Sequence, residues 1–322
     1  MTSFIIRRLI QTGIVITLLS FFCYLLMTLM PGDPVDLMIS ANPNITSEDI
    51  ERLRALYGLD QPVLVRYWNW VSTILSGDLG YSRTYRVPVQ ELMGPRLINT
   101  FILSAAALLV SILIALPLGI LAALKKGTRL DYSINMFAFT GISIPSFWLA
   151  IVLIIVFAIW IPLFPASGTR TVGVDLSFGE LLFDRIRYLV LPVLSLSLMS
   201  IGTFVRFTRS AMIEAMANDY IRTARAKGLS WPRIIVIHGF RNALIPLITI
   251  LALSFSGLFS GAIITETVFS YQGVGSLVYE SIISNDFNVA MVAFMISVSM
   301  VLIFNLLADI LYGVADPRIS YS

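Results

Sequence analysis

The chain has 322 residues, of which 57% are hydrophobic and only 13% are charged. Soluble domains carry roughly 25% charged residues, so this composition excludes a water-soluble globule. The formal net charge of +3 is small, and the single cysteine, Cys23, excludes a disulfide framework within the chain.

The first apolar run covers Leu9 to Met30 and follows Arg7 and Arg8. It is longer than the core of a signal peptide, which spans roughly 7 to 15 residues, and no small-x-small cleavage site follows it. We therefore predict a retained membrane helix whose arginines hold the N-terminus in the cytoplasm.

Five further apolar runs are long enough to cross a bilayer, which takes about 20 residues. They cover Asn99 to Leu124, Tyr132 to Ile161, Tyr188 to Val205, Ala243 to Thr265 and Val289 to Tyr312. The runs are continuously apolar rather than alternating, which favours α-helices over β-barrel strands. The sequence thus predicts an all-α integral membrane protein with six transmembrane helices and both termini in the cytoplasm.

The predicted spans divide the chain into three parts. Residues 1–30 form the cytoplasmic N-terminus and the first membrane helix, residues 31–98 an external helical insertion, and residues 99–322 a five-helix core. Inside the second, third and fourth spans lie Pro117, Pro145 and Pro192, each of which removes a backbone donor and bends the helix. Such bends suit helices that line a moving pathway, but prolines are also frequent in membrane helices generally.

The insertion begins with a turn signal, Pro31-Gly32-Asp33-Pro34. A helix is predicted from Glu48, capped by Thr46 or Ser47 and stopped by Gly58. A second helix is predicted from near Pro62, with an apolar stripe before Gly77. The stripe either packs on the membrane helices, lies in the headgroup zone or contacts an external partner. Its members are Leu64, Tyr67, Trp68, Val71, Ile74 and Leu75.

The charged residues are unevenly divided between the predicted loops. Those assigned to the cytoplasm carry a net charge of +8, and those assigned to the outside carry −5. Membrane helices orient with Lys and Arg inside, so the division supports the predicted topology.

Residues that catalysis would need are scarce. His238 is the only histidine, and Glu266 and Asp309 each lie at the end of a predicted span, so no acid pair is expected in the bilayer centre. No phosphate-binding G-x-x-x-x-G-K-[ST] motif occurs. The chain is therefore predicted to be no enzyme, and energy for uphill transport would have to enter through another chain.

The segment of residues 206–241 contains seven basic and two acidic residues. A short helix is predicted to start at Asp219, capped by Asn218 or by Asp219 itself, and to stop at Gly228; Trp231 and Pro232 then start a second helix.

The predicted short helix has two different sides. Ile221 and Ala224 share one side, while Arg222, Arg225 and the small Ala226 give the rest a basic surface that another protein could approach closely. We interpret it as a rigid knob that docks into a groove of a soluble protein. The alternative, a basic loop that orients the chain or touches anionic lipid, explains the charge but not the helix and turn signals.

The segment resembles the cytoplasmic signature of inner-membrane permeases of binding-protein-dependent ABC importers, in the dipeptide/oligopeptide subfamily and its B-type member. The resemblance covers essentially the full length. It rests on Asp219 to Ser230, His238 to Pro246, Pro31 to Pro34, Gly77 to Gly80, Gly261 to Phe269 with Gly273 and Gly275, and Asp316 to Arg318.

The resemblance implies the type I ABC importer permease fold, a bacterial inner-membrane location and a coupling helix that inserts into an ATPase subunit. Carried over residue by residue, the coupling site is Asp219, Tyr220, Ile221, Arg222, Thr223, Ala224, Arg225, Ala226, Lys227 and Gly228. The general importer pattern has Glu-Ala-Ala where this chain has Arg222, Thr223 and Ala224, a basic form typical of the peptide subfamily.

The implied partners are a second homologous permease, two ATPase subunits and an external substrate-binding protein, without nucleic acid. No cofactor is expected in this chain, because ATP and Mg would be bound by the ATPase subunits. The implied substrates are di- and oligopeptides; related permeases are known for nickel, glutathione and oligosaccharides, which remain alternatives. A stand-alone channel or secondary carrier is the rival from another class, and the pathway-lining residues are not predicted.

Overall fold

The computed structural model describes residues 2–29, 39, 46–56 and 58–315. The predicted turn Pro31–Pro34 and the tail motif Asp316–Arg318 lie outside these residues. Within the described part, the chain forms helices joined by turns and loops, with no β-strand and one isolated bridge between Tyr81 and Pro88.

The helices before the core are α1 (Thr2–Thr28), α2 (Ser47–Leu56) and α3 (Val63–Leu75). The core begins with α4 (Val89–Leu124), α5 (Arg129–Ser143) and α6 (Ser146–Ile154), which ends in a π-helical turn (Ile155–Trp160). The long α7 (Phe178–Ala217) and the short α8 (Asp219–Ala226) follow. Next, α9 (Trp231–Arg233) runs through a π-helical stretch (Ile234–Phe240) into α10 (Arg241–Val268), and α11 (Val274–Ile283) and α12 (Phe287–Ala315) complete the chain.

The membrane helices agree with the predicted apolar runs. By length and composition, α1, α4, α7 and α12 can each cross a bilayer, and α5 with α6 meets the same test as a bent pair. The fifth run, Ala243–Thr265, lies within the 28 residues of α10, which at 1.5 Å per residue is about 42 Å long. The second span starts earlier than predicted, because α4 already begins at Val89.

The third span differs in shape from the prediction of one continuous run. Its two halves, α5 and α6, meet at 97°. The break falls at Ile144 and Pro145, where proline supplies no N–H for the helix to continue. Gly141 packs there against the Leu198 carbonyl, near the middle of α7, so the bend lies about halfway along the bundle.

The two ends of the bundle carry different segments. We call the end that bears residues 46–88 the insertion end, and the end that bears residues 206–241 the basic end. An ion pair of 2.8 Å joins Arg8, near the start of α1, to Asp309, near the end of α12. The first and last helices therefore place these two residues at the same end, as an even number of spans requires.

The insertion has the two predicted helices. Thr46 caps α2, because its Oγ1 accepts a hydrogen bond from the Asp49 N–H and donates one to the Asp49 carboxylate. No described residue of α2 is buried. The first residue of α3 follows Pro62, as predicted.

The apolar stripe of α3 is divided between two surroundings. Tyr67 packs edge-on against Phe21 and Tyr24 of α1, and its hydroxyl lies 2.7 Å from Ser20 Oγ. Trp70 contacts Tyr24 as well, so packing on a membrane helix is confirmed for this side. Trp68 remains 68% exposed on the other side, which suits a position in the headgroup zone.

The core is organised around α7, which packs against both α4 and α5. Small residues let the backbones approach: a Cβ on Gly202 would overlap the Ala138 carbonyl oxygen, and one on Gly119 would overlap Thr208. Between membrane helices such close approach replaces the hydrophobic effect as the source of association. Phe204, Val205 and Ile201 of α7 are buried in the same contact.

We expect Gly202→Ala to destabilise the protein by about 1–3 kcal/mol, because the added methyl group meets a backbone carbonyl that cannot turn away. The matched control is Gly179→Ala, in the same helix but with no atom within 4 Å of the new Cβ. Thermal unfolding of the purified protein in detergent measures both. Equal midpoints for the two variants would contradict the close packing of α7 on α5.

Candidate functional site

The predicted coupling segment, residues 206–241, contains a small helical knob at the basic end. After α7 ends at Ala217, α8 covers Asp219–Ala226 and so confirms the predicted short helix. Ile221 and Ala224 are 1% and 3% exposed. Both pack against Ile234 at the start of the π-helical stretch, with Met216 and Leu229 at the edges of the cluster. The knob is therefore fixed to the helices before and after it.

Gly228 closes the knob. Its φ of +72° lies in the left-handed region, where a side chain is strained, and its N–H donates to the Arg225 carbonyl. The Leu229 N–H donates to the Ala224 carbonyl, which is one residue further back. This is the hydrogen-bonding pattern of a glycine-terminated helix, and it turns the chain towards α9.

The outward side of α8 is basic. Arg222, Thr223, Arg225, Ala226 and Lys227 are all exposed. The Arg225 guanidinium lies 4.6 Å from the centre of the Trp231 ring, a cation–π contact that holds this charge in place. Arg222 and Asp219 form a 3.5 Å pair whose side chains are 84% and 93% exposed, so the pair contributes little to stability.

One local detail differs from the sequence prediction, and a second agrees with it. Asn218 stands at the N-cap of α8, but its side chain donates to the Glu214 carbonyl and does not cap the helix. Ala224 faces the protein and Ala226 faces outward. The small residue available for close approach by a partner is therefore Ala226.

A buried ion pair lies where α7 approaches the knob. Asp131, in the first turn of α5, is 2% exposed and receives two hydrogen bonds from Arg209 of α7, at 2.6 and 2.8 Å. Because Asp131 directly precedes the predicted span Tyr132 to Ile161, its charge is included in the sum for the cytoplasmic loops. The residue is instead an internal partner, and the pattern that could have suggested it is the Thr128-x-x-Asp131 cap signal at the start of α5.

At the insertion end, Glu266 of α10 is completely buried. Thr100 of α4 donates to its carboxylate at 2.6 Å, and the Ser276 N–H of α11 donates at 3.0 Å. Gly273 lies directly against the carboxylate, where a Cβ would overlap both oxygens. The sequence predicts Glu266 at the end of a span, and the structure has it near the end of α10, with its carboxylate enclosed by three helices.

Two more acidic residues, Asp286 and Glu280, also have partners within the chain. Asp286 is 2% exposed and accepts hydrogen bonds from Ser82 Oγ at 2.6 Å and from the Thr84 N–H at 3.0 Å. Tyr85 donates to Glu280 at 2.6 Å. Partial burial and this hydrogen bond raise the pKa of Tyr85 to about 12. These bonds attach the loop after α3 to the α11–α12 hairpin.

Comparison with protein families identifies the chain. The model for the binding-protein-dependent transport system inner membrane component matches residues 115–321, and that for the N-terminal part of such membrane components matches residues 1–94. The chain belongs to this family. The six predicted spans and the resemblance of the coupling segment agree with that assignment.

Relatives of this permease match it along the whole chain. It is 36% identical to the oligopeptide transport system permease protein AppB of Bacillus subtilis, over 100% of both chains. It is also 36% identical to the dipeptide transport system permease protein DppB of Escherichia coli K12 and to the di/tripeptide permease DppB of Pseudomonas aeruginosa. In both cases the match covers 100% of this chain and 99% of the relative.

Solved structures share the permease fold. A chain from inward-facing conformations of the MetNI methionine ABC transporter superposes with a TM-score of 0.58 at 16% identity, covering 70% of this chain and 97% of that chain. A second crystal form of the same transporter gives a TM-score of 0.55, covering 68% of this chain and 93% of that one. The all-α permease fold is thereby confirmed.

We expect Gly273→Ala to lower the unfolding midpoint of the permease markedly, because its methyl group would occupy the place of the Glu266 carboxylate. The φ of Gly273 is −106°, so the effect comes from lack of space and not from backbone strain. In a Glu266→Ala background the same substitution should cost much less. A double-mutant cycle with thermal unfolding in detergent tests the coupling, and an equal cost in both backgrounds would contradict it.

Proposed function

We propose that this permease forms the translocation pathway of an importer together with a second, homologous membrane subunit. Two ATPase subunits drive the switch between inward- and outward-facing states, and an external binding protein delivers the substrate. Support comes from the family, which is named for binding-protein-dependent transport, and from the match over the full length. ATP and Mg are bound by the ATPase subunits in this proposal, and the chain itself catalyses no reaction.

The main support for the coupling role is that α8 has two different sides. Its inward side is buried on the chain's own core, while its outward side is basic and ends in the small Ala226. A knob with these properties can insert into a cleft of an ATPase subunit without being displaced from the permease. The coupling surface comprises the residues from Asp219 to Gly228, with Arg222, Thr223, Ala226 and Lys227 on the exposed side.

The basic end faces the cytoplasm in this proposal, because the ATPase subunits act there. The positive charge of residues 206–241 supports this orientation, since cytoplasmic loops carry an excess of Lys and Arg. The contact between Arg8 and Asp309 supports a position of both residues on one side of the bacterial inner membrane, which we assign to the cytoplasm.

The proposed substrates are di- and oligopeptides. The support is the agreement of three relatives at 36% identity, which transport oligopeptides, dipeptides and di/tripeptides by name. The uptake test below compares peptides with nickel, glutathione and oligosaccharides. The comparison is needed because in this arrangement the binding protein, rather than this chain, determines selectivity.

We expect Ala226→Trp to abolish ATPase binding and substrate uptake while leaving the permease folded, because the indole would fill the space needed for close approach. The matched control is Ala55→Trp, an exposed helical alanine at the insertion end. Co-purification of ATPase subunits with the tagged permease, followed by uptake in proteoliposomes, measures the effect. Full uptake by Ala226→Trp would refute docking through α8, and uptake without any ATPase would favour a stand-alone carrier.

We expect the complete transporter, reconstituted with its binding protein, to take up labelled di- or tripeptides in an ATP-dependent manner. Unlabelled peptides should compete for uptake, whereas Ni²⁺ and oligosaccharides should not. Glutathione is itself a tripeptide, so its uptake is measured directly against that of a standard tripeptide of similar size. Transport of Ni²⁺, glutathione or an oligosaccharide in preference to peptides would overturn the substrate assignment and leave the coupling role intact.

A further inference from the structure

The pair Asp131–Arg209 has the geometry of a joint between two helices. Arg209 donates through Nε to one carboxylate oxygen at 2.6 Å and through Nη2 to the other at 2.8 Å. Such a two-point contact fixes the orientation of both side chains, because the guanidinium and the carboxylate must lie in one plane. A lysine could supply the charge but not this orientation.

Two further groups donate hydrogen bonds to the Asp131 carboxylate. The Gly127 N–H donates to Oδ2 at 2.9 Å, and Asn135 Nδ2 donates to Oδ1 at 2.7 Å. One buried group therefore holds together the turn after α4, the first turns of α5 and the C-terminal part of α7. Four donors on its two oxygens hold the carboxylate in place.

The position of Arg209 connects this joint to the knob. Arg209 lies about two turns before the end of α7, and only Asn218 separates α7 from α8. On the same part of α7, the Arg206 guanidinium lies 4.9 Å from the centre of the Phe139 ring of α5. A displacement of the knob that tilts the end of α7 thus acts on α5 at two points.

At its far end, α5 is separated from α6 by a break in the helix. The two helices meet at 97° across Ile144 and Pro145, and no side chain caps the start of α6. Hinges are commonly found at such helix ends, where a few residues absorb the change in backbone angles. A rotation passed to α5 through Asp131 would therefore be absorbed at this break.

We propose that Asp131 is a positioning residue that makes α5 move with the coupling helix, so that ATPase motion reaches the bent α5–α6 span in the middle of the bundle. This inference rests on the proposed coupling of α8 to an ATPase. Asp131 itself touches neither ATP nor substrate; it acts through Arg209.

The test uses the complete transporter in proteoliposomes and measures the number of ATP molecules hydrolysed per peptide imported. Asp131→Asn keeps the size of the side chain but removes its charge. We expect this variant to assemble with the ATPase subunits and to hydrolyse ATP, while the ratio of ATP to peptide rises roughly tenfold. Arg209→Lys, which keeps the charge without the two-point contact, should give an intermediate ratio.

Glu214→Gln is the matched control, because Glu214 is an exposed carboxylate on the same part of α7. Its ratio should equal that of the wild type. If Asp131→Asn does not assemble, Arg209→Lys provides the measurement. The role of Asp131 would be overturned if the assembled variant hydrolysed the same number of ATP molecules per imported peptide as the wild type. A parallel loss of hydrolysis and uptake leaves this ratio unchanged and therefore counts as the same outcome. Failure of the wild-type permease to bind any ATPase would instead refute the proposed function itself.

Discussion

The architecture depends on the close approach of α7 to α4 and α5. Because lipid is as apolar as the helix surfaces, membrane helices gain little from hydrophobic burial against one another, and small residues at the contacts allow the backbones to meet. Gly119 allows the close contact between α4 and α7, and Gly202 the one between α7 and α5. Since α7 also leads into α8, the helix that holds the core together is the one that carries the knob.

Two buried carboxylates occupy opposite ends of this framework. Asp131 joins α5 to α7 at the basic end, and Glu266 joins α10 to α4 and α11 at the insertion end. Buried carboxylates are costly unless their oxygens are hydrogen-bonded, and both are. Each carboxylate therefore stabilises the relative positions of the helices that it joins.

The sequence predicts the local features well and the long-range contacts poorly. Apolar length identifies the spans, and Gly228 identifies the end of α8, because each signal is contained within a few neighbouring residues. The pairing of Asp131 with Arg209 joins residues 78 positions apart, and no local pattern specifies it. The same holds for the angle at Pro145: proline predicts a break, but packing against α7 determines its size. The inward position of Ala224 likewise depends on Ile234, which lies beyond the turn.

Rigidity of the knob is what would distinguish a coupling element from a binding loop. A loop docked to an ATPase would absorb the motion of its partner, because each residue could adjust its backbone angles. Here Ile221 and Ala224 attach α8 to Ile234, from which a continuous helix runs through α10 to Val268. That helix carries Glu266 near its far end, where the carboxylate accepts the hydrogen bond from Thr100. One helix therefore joins the packing of the knob to the buried carboxylate at the insertion end, although Pro246 and the π-helical stretch interrupt its regular hydrogen bonding.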